Sequence, residues 1–236
     1  LLPGCDVVVI SPGVPIDSPV VKQAAKKGIP LIGELELAYS LLHGQVIAVT
    51  GTNGKTTTVS LLGRIFENAG HTVHVGGNIG YPLSAIAMTS ADSDIVVVEV
   101  SSFQLETIKT FRPHTAVLLN ITEDHLNRHH TMAAYTALKR RIFENQSADD
   151  LAVMNDDDPA VREIAGSITP RIARFSQAHS VEHGICLRDQ AIVSVRSGKQ
   201  TPICQTGDIL IPGPHNLENA MAAAAVAVAH GIAPGI

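Results

Sequence analysis

Four stretches of the chain are apolar without alternation, and each runs into a polar or glycine-rich turn. Gln45–Thr50, Ile95–Val100, Thr115–Leu119 and Leu151–Met154 carry mostly Val, Ile, Leu and Ala on consecutive positions. Neither face of such a strand would meet water, which is the pattern of a parallel sheet covered on both sides. Helical stretches separate them, at Thr56–Ala69 and Met132–Phe143, so the alternation predicts an α/β fold. From Arg171 to Ile211 the runs become short and punctuated by Gly, predicting a small antiparallel patch attached to the main sheet. A last helix is expected over Asn216–His230. Its Ala-rich part, Ala220–Ala229, is too short for a membrane span and reads as buried.

The first 43 residues repeat the theme on a smaller scale. A strand at Asp6–Ile10, the turn Ser11-Pro12-Gly13, a helix Pro19–Lys27 closed by Gly28 and a strand Pro30–Ile32 make one βαβ unit. Such a unit is too small to stand alone, so it reads as the tail of a Rossmann-like domain whose first half is missing. A helix Glu34–Leu42 leads out of it. The expected organisation is therefore 1–43 as the end of an N-terminal Rossmann-like domain, followed by 44–236 as a central phosphate-loop-type domain. The chain starts without Met and stops just past a helix; both ends read as cut.

Composition narrows this picture. Apolar residues make 45% and charged residues 17% of the 236, with no Trp, five Phe and three Tyr, so the core must be aliphatic. A formal net charge of −5 leaves no basic footprint, and a nucleic-acid partner is not expected. Cys5, Cys186 and Cys204 are odd in number and far apart; they fit no zinc spacing and suit a reducing compartment. No span-length apolar run and no signal peptide are visible, so a cytoplasmic location without membrane attachment is expected.

The candidate chemistry collects where the apolar strands end. Gly51-Thr52-Asn53-Gly54-Lys55-Thr56-Thr57 follows one of them directly and opens a helix. Glycines let backbone N–H groups converge on phosphate, and the helix N-terminus adds its positive end. Lys55 would reach the β/γ-phosphates of ATP and Thr56 would hold Mg²⁺. The strict spacing would place Gly at position 49, which is Val49. Glu99 closes a second strand, at the sheet edge where ligands gather, and suits Mg²⁺ as a hard oxygen donor. Asn120-Ile121-Thr122-Glu123-Asp124-His125 follows a third; His125 there is a candidate for a second metal or for orienting a phosphate. Lys139, Arg140 and Arg141 read from the residues alone as a solvated helix face, and His129 and His130 carry no special signal. Asn216 is either a helix cap or, with Asn219 one turn on, part of a surface facing a nucleotide base.

In combination these segments resemble the Mur ligases of peptidoglycan synthesis. Gly76-Gly77-Asn78-Ile79-Gly80, Glu99-Val100-Ser101-Ser102-Phe103-Gln104-Leu105-Glu106 and the Asn120–His125 segment narrow the likeness to the branch that adds D-glutamate to UDP-N-acetylmuramoyl-L-alanine. The phosphate loop alone also fits folylpolyglutamate synthetases, although theirs usually continues Gly-Lys-Gly-Ser. A nucleotide-binding switch is the reading from another class, and the base-reading Asn-Lys-x-Asp motif that such switches carry is not in the chain. The resemblance implies an ATP-dependent ligase working through an acyl phosphate, with two Mg²⁺ ions held by Thr56, Glu99, His125 and Lys139. Lys139 matches the lysine that the family carbamylates with CO₂, which overturns the solvated-face reading at that position. Lys55, Glu99, His125 and Lys139 would be catalytic. Asn216 and Asn219 would face ATP, together with the loop Gly51–Thr57. Asn78, Ser101 and His125 would contact the muramoyl substrate, and Ser11-Pro12-Gly13 its uridine diphosphate part. The resemblance also implies a monomer and a third, C-terminal domain carrying the D-glutamate pocket, which this chain lacks.

Overall fold

The computed structural model describes residues 4–211 and 213–235. Its strands are β1 (Val8–Ile10), β2 (Leu31–Gly33), β3 (Gln45–Thr50), β4 (Val73–Gly77), β5 (Ile95–Glu99), β6 (Thr115–Leu118), β7 (Leu151–Asn155), β8 (Arg171–Ser176), β9 (His183–Arg188), β10 (Ala191–Arg196) and β11 (Lys199–Gln205). Its α-helices are α1 (Pro19–Lys26), α2 (Glu34–Leu41), α3 (Lys55–Asn68), α4 (Leu83–Ala87), α5 (Ser102–Leu105), α6 (Leu126–His129), α7 (Met132–Arg140), α8 (Pro159–Ala165) and α9 (Pro214–Ala229).

Nine strands form one sheet in the order β11-β10-β9-β8-β7-β6-β3-β5-β4, and β1 pairs with β2 in a parallel sheet of their own. From β4 to β9 the nine-stranded sheet is parallel throughout. Every residue of β5, β6 and β7 is buried, as the unbroken apolar runs predict. Successive side chains alternate between faces, so the same strands feed two cores. Ile47, Val49, Val97, Val117 and Val153 pack under α3 and α9. Val46, Ala48, Val96, Val98, Leu118 and Met154 pack on the other side, with Leu35 of α2, Leu83 of α4 and Tyr135 of α7. On that second side Glu36 of α2 is buried. It accepts from the backbone N–H groups of Lys109, Thr110 and Phe111 and from the Thr110 hydroxyl.

Four details differ from the sequence reading. The antiparallel patch is confined to β9–β10–β11, because β8 joins the parallel sheet beside β7 and β9 also runs parallel to it. Gly184 makes that last pairing possible: it sits at φ 137°, and a Cβ there would overlap the Arg174 backbone. Strand β4 and helix α8 were not expected. Helix α9 begins at Pro214 with Gly213 in the capping position, so Asn216 lies inside the first turn and is not the cap. No helix among the described residues is long and apolar enough to cross a membrane, and the three cysteines are free thiols.

Candidate active site at the carboxyl edge of the sheet

Strands β3, β5, β6 and β7 all end at the same sheet edge, and the turns that follow them build the site. After β3 the chain bends through Gly51–Gly54 before α3 starts. Gly54 has φ 86° and abuts the Asn219 amide oxygen of α9, which a Cβ would overlap. The first turn of α3, containing Thr56 and Thr57, directs N–H groups without intrahelical partners toward the mouth of the loop. Thr52 and Asn53 hold the loop to the turn after β6. Thr52 N–H donates to the Asn120 carbonyl (3.0 Å) and Asn53 N–H to the Asn120 side-chain oxygen (2.8 Å). The Thr52 hydroxyl accepts from Thr122 N–H (3.0 Å) and lies 3.2 Å from the Tyr135 hydroxyl.

Lys55 folds back over this loop, donating to the carbonyls of Gly51 (3.0 Å) and Thr52 (2.8 Å). Burial holds its pKa below the usual lysine value, and the carboxylates of Glu99 and Asp124 partly oppose that. Glu99 ends β5 at 2% exposure. One of its oxygens accepts from the Thr56 hydroxyl at 2.8 Å and the other from the Asn78 amide at 2.9 Å. Asn78 is placed by its own N–H, which donates to the Glu99 carbonyl, while Gly77 before it leaves room for that close approach. The Thr56 hydroxyl and the Glu99 carboxylate fit Mg²⁺ by donor type, both being hard oxygen ligands.

Lys139 is 1% exposed. Its ammonium lies 4.7 Å from the centre of the Tyr135 ring and donates to the Gly51 carbonyl at 2.8 Å, the same oxygen that Lys55 uses. Burial, with the Lys55 charge nearby, lowers its pKa to about 7, and Asp124 opposes the change. The neighbouring arginines behave differently. Arg140 is exposed and donates to the Ser167 carbonyl, whereas Arg141 donates to the carbonyls of Leu105, Glu106 and Ile108 at and beyond the end of α5. Lys139 was findable from spacing. Met132, Tyr135, Ile142 and Phe143 trace an apolar helical stripe on which Lys139 falls four residues after Tyr135.

The remaining candidates are less tightly grouped. His125 has φ 52° and takes the capping position before α6; its ring rests against Phe103 (4.9 Å between centres) and beside Asp124 (3.4 Å). Among the described residues no set of three or more His, Cys, Asp or Glu side chains is close enough to hold a metal. Ser101 caps α5 in a reciprocal box with Gln104. Asn219 is buried, near the Thr58 hydroxyl (3.5 Å), and donates to the Asn216 side-chain oxygen (3.3 Å). Ser11-Pro12-Gly13 forms a turn closed by Val14 N–H donating to the Ser11 carbonyl, and it meets the sheet edge through Arg128, which donates to the Pro12 carbonyl. The sequence reading passed over Tyr135 and Arg128, named Asn120 only within the segment after β6, and gave His129 no special signal. His129 is buried, with its ring nitrogen 2.9 Å from the Ser102 hydroxyl and its ring stacked on Tyr135; burial lowers its pKa despite the nearby Glu106.

A family model described as the Mur ligase middle domain matches residues 49–227. The chain is 48% identical over 227 residues to the UDP-N-acetylmuramoylalanine–D-glutamate ligase of Alkaliphilus oremlandii, covering 96% of this chain and 50% of that protein. It is equally similar, over 235 residues, to the ligase of the same name from Thermoanaerobacter sp., covering 100% and 52%. The chain thus spans about half the length of the curated relatives it matches. Among solved structures, the UDP-N-acetylmuramate:L-alanyl-gamma-D-glutamyl-meso-diaminopimelate ligase from Neisseria meningitidis superposes with a TM-score of 0.67 at 24% identity, covering 96% of this chain and 74% of that one. The MurF ligase from Thermotoga maritima in complex with ADP gives 0.63 at 19%, covering 98% and 62%. At these identities the two structures speak for the fold.

Proposed function

The chain belongs to the Mur ligase family, and from that membership we propose that it is the ATP-binding part of an enzyme that joins D-glutamate to UDP-N-acetylmuramoyl-L-alanine. The observation that carries the proposal is the junction of Lys55, Thr56, Glu99 and Asn78 at the mouth of the phosphate loop. A phosphate-binding cation, two hard oxygen donors and a neutral amide meet there, and phosphoryl transfer needs mainly positioning and charge neutralisation.

In the proposed reaction a carboxylate oxygen of the substrate's L-alanine attacks the γ-phosphorus of ATP, and the bond to the ADP oxygen breaks. The D-glutamate nitrogen then attacks the acyl carbon, phosphate leaves with the bonding pair, the amine loses a proton, and an amide remains. Lys55 would leave its two carbonyls for the transferring phosphate. Thr56 and Glu99 would hold Mg²⁺, which supplies countercharge to the phosphates, and His125 would hold a second ion. Asn78 would hold the substrate close to Glu99, and Ser11-Pro12-Gly13 its uridine diphosphate end. Asn216 and Asn219 would face the nucleotide base. Lys139, with an amine near half-neutral at pH 7, would attack CO₂ and lose a proton, turning a buried cation into a metal-binding anion.

Phosphate release by the full-length protein, supplied with ATP, the UDP-linked substrate and D-glutamate, tests the proposal. Release that requires D-glutamate, and that meso-diaminopimelate or L-alanine does not support, is the expected result. The present chain alone should not reach that rate, because the relatives it matches are about twice its length.

A further inference from the structure

Arg128 stands on α6, three residues after His125. Nε and Nη2 donate to the two carboxylate oxygens of Glu106 at 3.1 and 2.5 Å. The far side of the same group donates to the Pro12 carbonyl (Nη1, 3.2 Å) and the Val14 carbonyl (Nη2, 3.4 Å). Its carbon lies 4.4 Å over the ring of Phe103. The two side chains are only 17% and 7% exposed, so both charges are largely out of water. A forked pair of this kind holds the guanidinium plane in one orientation, which a lysine could not reproduce.

One side chain therefore joins three places: the turn after β1, the segment after β5 and the loop after β6. The turn at Pro12–Val14 presents carbonyls toward the sheet edge, and Arg128 supplies the donors that meet them there. The Glu106 fork fixes where those donors stand. We infer that Arg128 is a positioning residue for the nucleotide end of the substrate, holding the Ser11–Val14 turn at a set distance from Glu99. A ligand reaching from turn to metal site gains its full affinity only if that distance is kept. The inference rests on the reading above that this turn holds the uridine diphosphate part.

Steady-state kinetics of the full-length protein test it, with R128A, R128K and E106Q compared against wild type. R128A should raise the KM for UDP-N-acetylmuramoyl-L-alanine about 10- to 100-fold while the KM values for ATP and D-glutamate stay within about twofold. R128K should fall between, since it keeps charge without the fork, and E106Q should shift the same KM by a smaller factor. Methylguanidinium added to R128A should recover part of the lost affinity. If R128A does not fold, R128K and E106Q carry the comparison. An unchanged KM for the UDP-linked substrate, or equal rises in all three KM values, would overturn the inference. A wild-type protein with no D-glutamate-dependent phosphate release would instead overturn the proposed function itself, and this inference with it.

Discussion

Replacing Lys139 by Met should change how stability depends on pH, and the structure gives the size of the effect. An ordinary lysine is neutral in roughly one molecule in three thousand at pH 7; Lys139, with a pKa of about 7, is neutral in roughly half. The unfolded chain binds this proton up to its usual 10.5 and the folded chain releases it at about 7. Between those values the unfolded state holds more protons, so stability rises with pH. Below pH 7 both states are charged and the slope vanishes. Across the whole window the folded state escapes a desolvation cost on the order of 5 kcal/mol, or about 1.4 kcal/mol for each pH unit. Lys139→Met keeps the apolar stem and has no proton to lose. Urea unfolding of both proteins at pH 6, 7, 8 and 9, in CO₂-free buffer, should show wild type gaining on the variant above pH 7 and running parallel below it. Parallel lines over the whole range would refute the claim that burial holds this amine near neutrality. In ¹³C-bicarbonate with Mg²⁺ and ATP, wild type should also show a carbamate carbonyl resonance that Lys139→Met lacks.

Three further expectations follow from the same geometry. Gly54→Ala forces a side chain into a left-handed backbone and against Asn219; it should lose about 1 to 3 kcal/mol of stability, and calorimetric titration should find ATP binding lost. Glu36→Gln should cost about 1 to 3 kcal/mol at pH 7. Burial raises the Glu36 pKa, but hydrogen bonds from Thr110, Lys109 and Phe111 outweigh it and hold the pKa below 4.5. The carboxylate's contribution is therefore complete above pH 4.5 and fades as pH falls through the folded value, so acid unfolding should be less steep in the variant. Glu99→Gln keeps an acceptor for Thr56 and removes the charge; the gain in ATP affinity on adding Mg²⁺ should fall about tenfold or more, and an unchanged gain would exclude Glu99 as a ligand.

Much of the architecture was readable because fully buried strands leave no polar alternation. Ile95–Glu99, Thr115–Leu118 and Leu151–Asn155 show their place in a parallel sheet residue by residue. Strand β4 was not readable, since Val73–Gly77 carries His and two glycines at the sheet's edge and owes its pairing to the neighbouring β5. Strand β8, Arg-Ile-Ala-Arg-Phe-Ser, mixes polar with apolar residues and is buried only at its end, so it lacks the unbroken apolar run that marks the central parallel strands. At the site, Gly51–Thr56 and Glu99 were legible because a strand end followed by glycines or a carboxylate has few other uses. Lys139 looked like part of a basic surface because residue type outweighed spacing. Arg128 gave no signal, since its partners Pro12, Val14 and Glu106 lie far away in the chain and meet it only through the fold.

The Gly51 carbonyl, an acceptor for both Lys55 and Lys139, makes one oxygen the meeting point of two cations. Each lysine is thus part of the other's surroundings. A ligand that draws Lys55 away relieves Lys139 of a like charge and leaves it the whole acceptor. A change that cancels the charge on Lys139 alters in turn what Lys55 loses by leaving. Such influences are equal in both directions. What the loop holds and the ionic state of the lysine behind it are two readings of a single equilibrium.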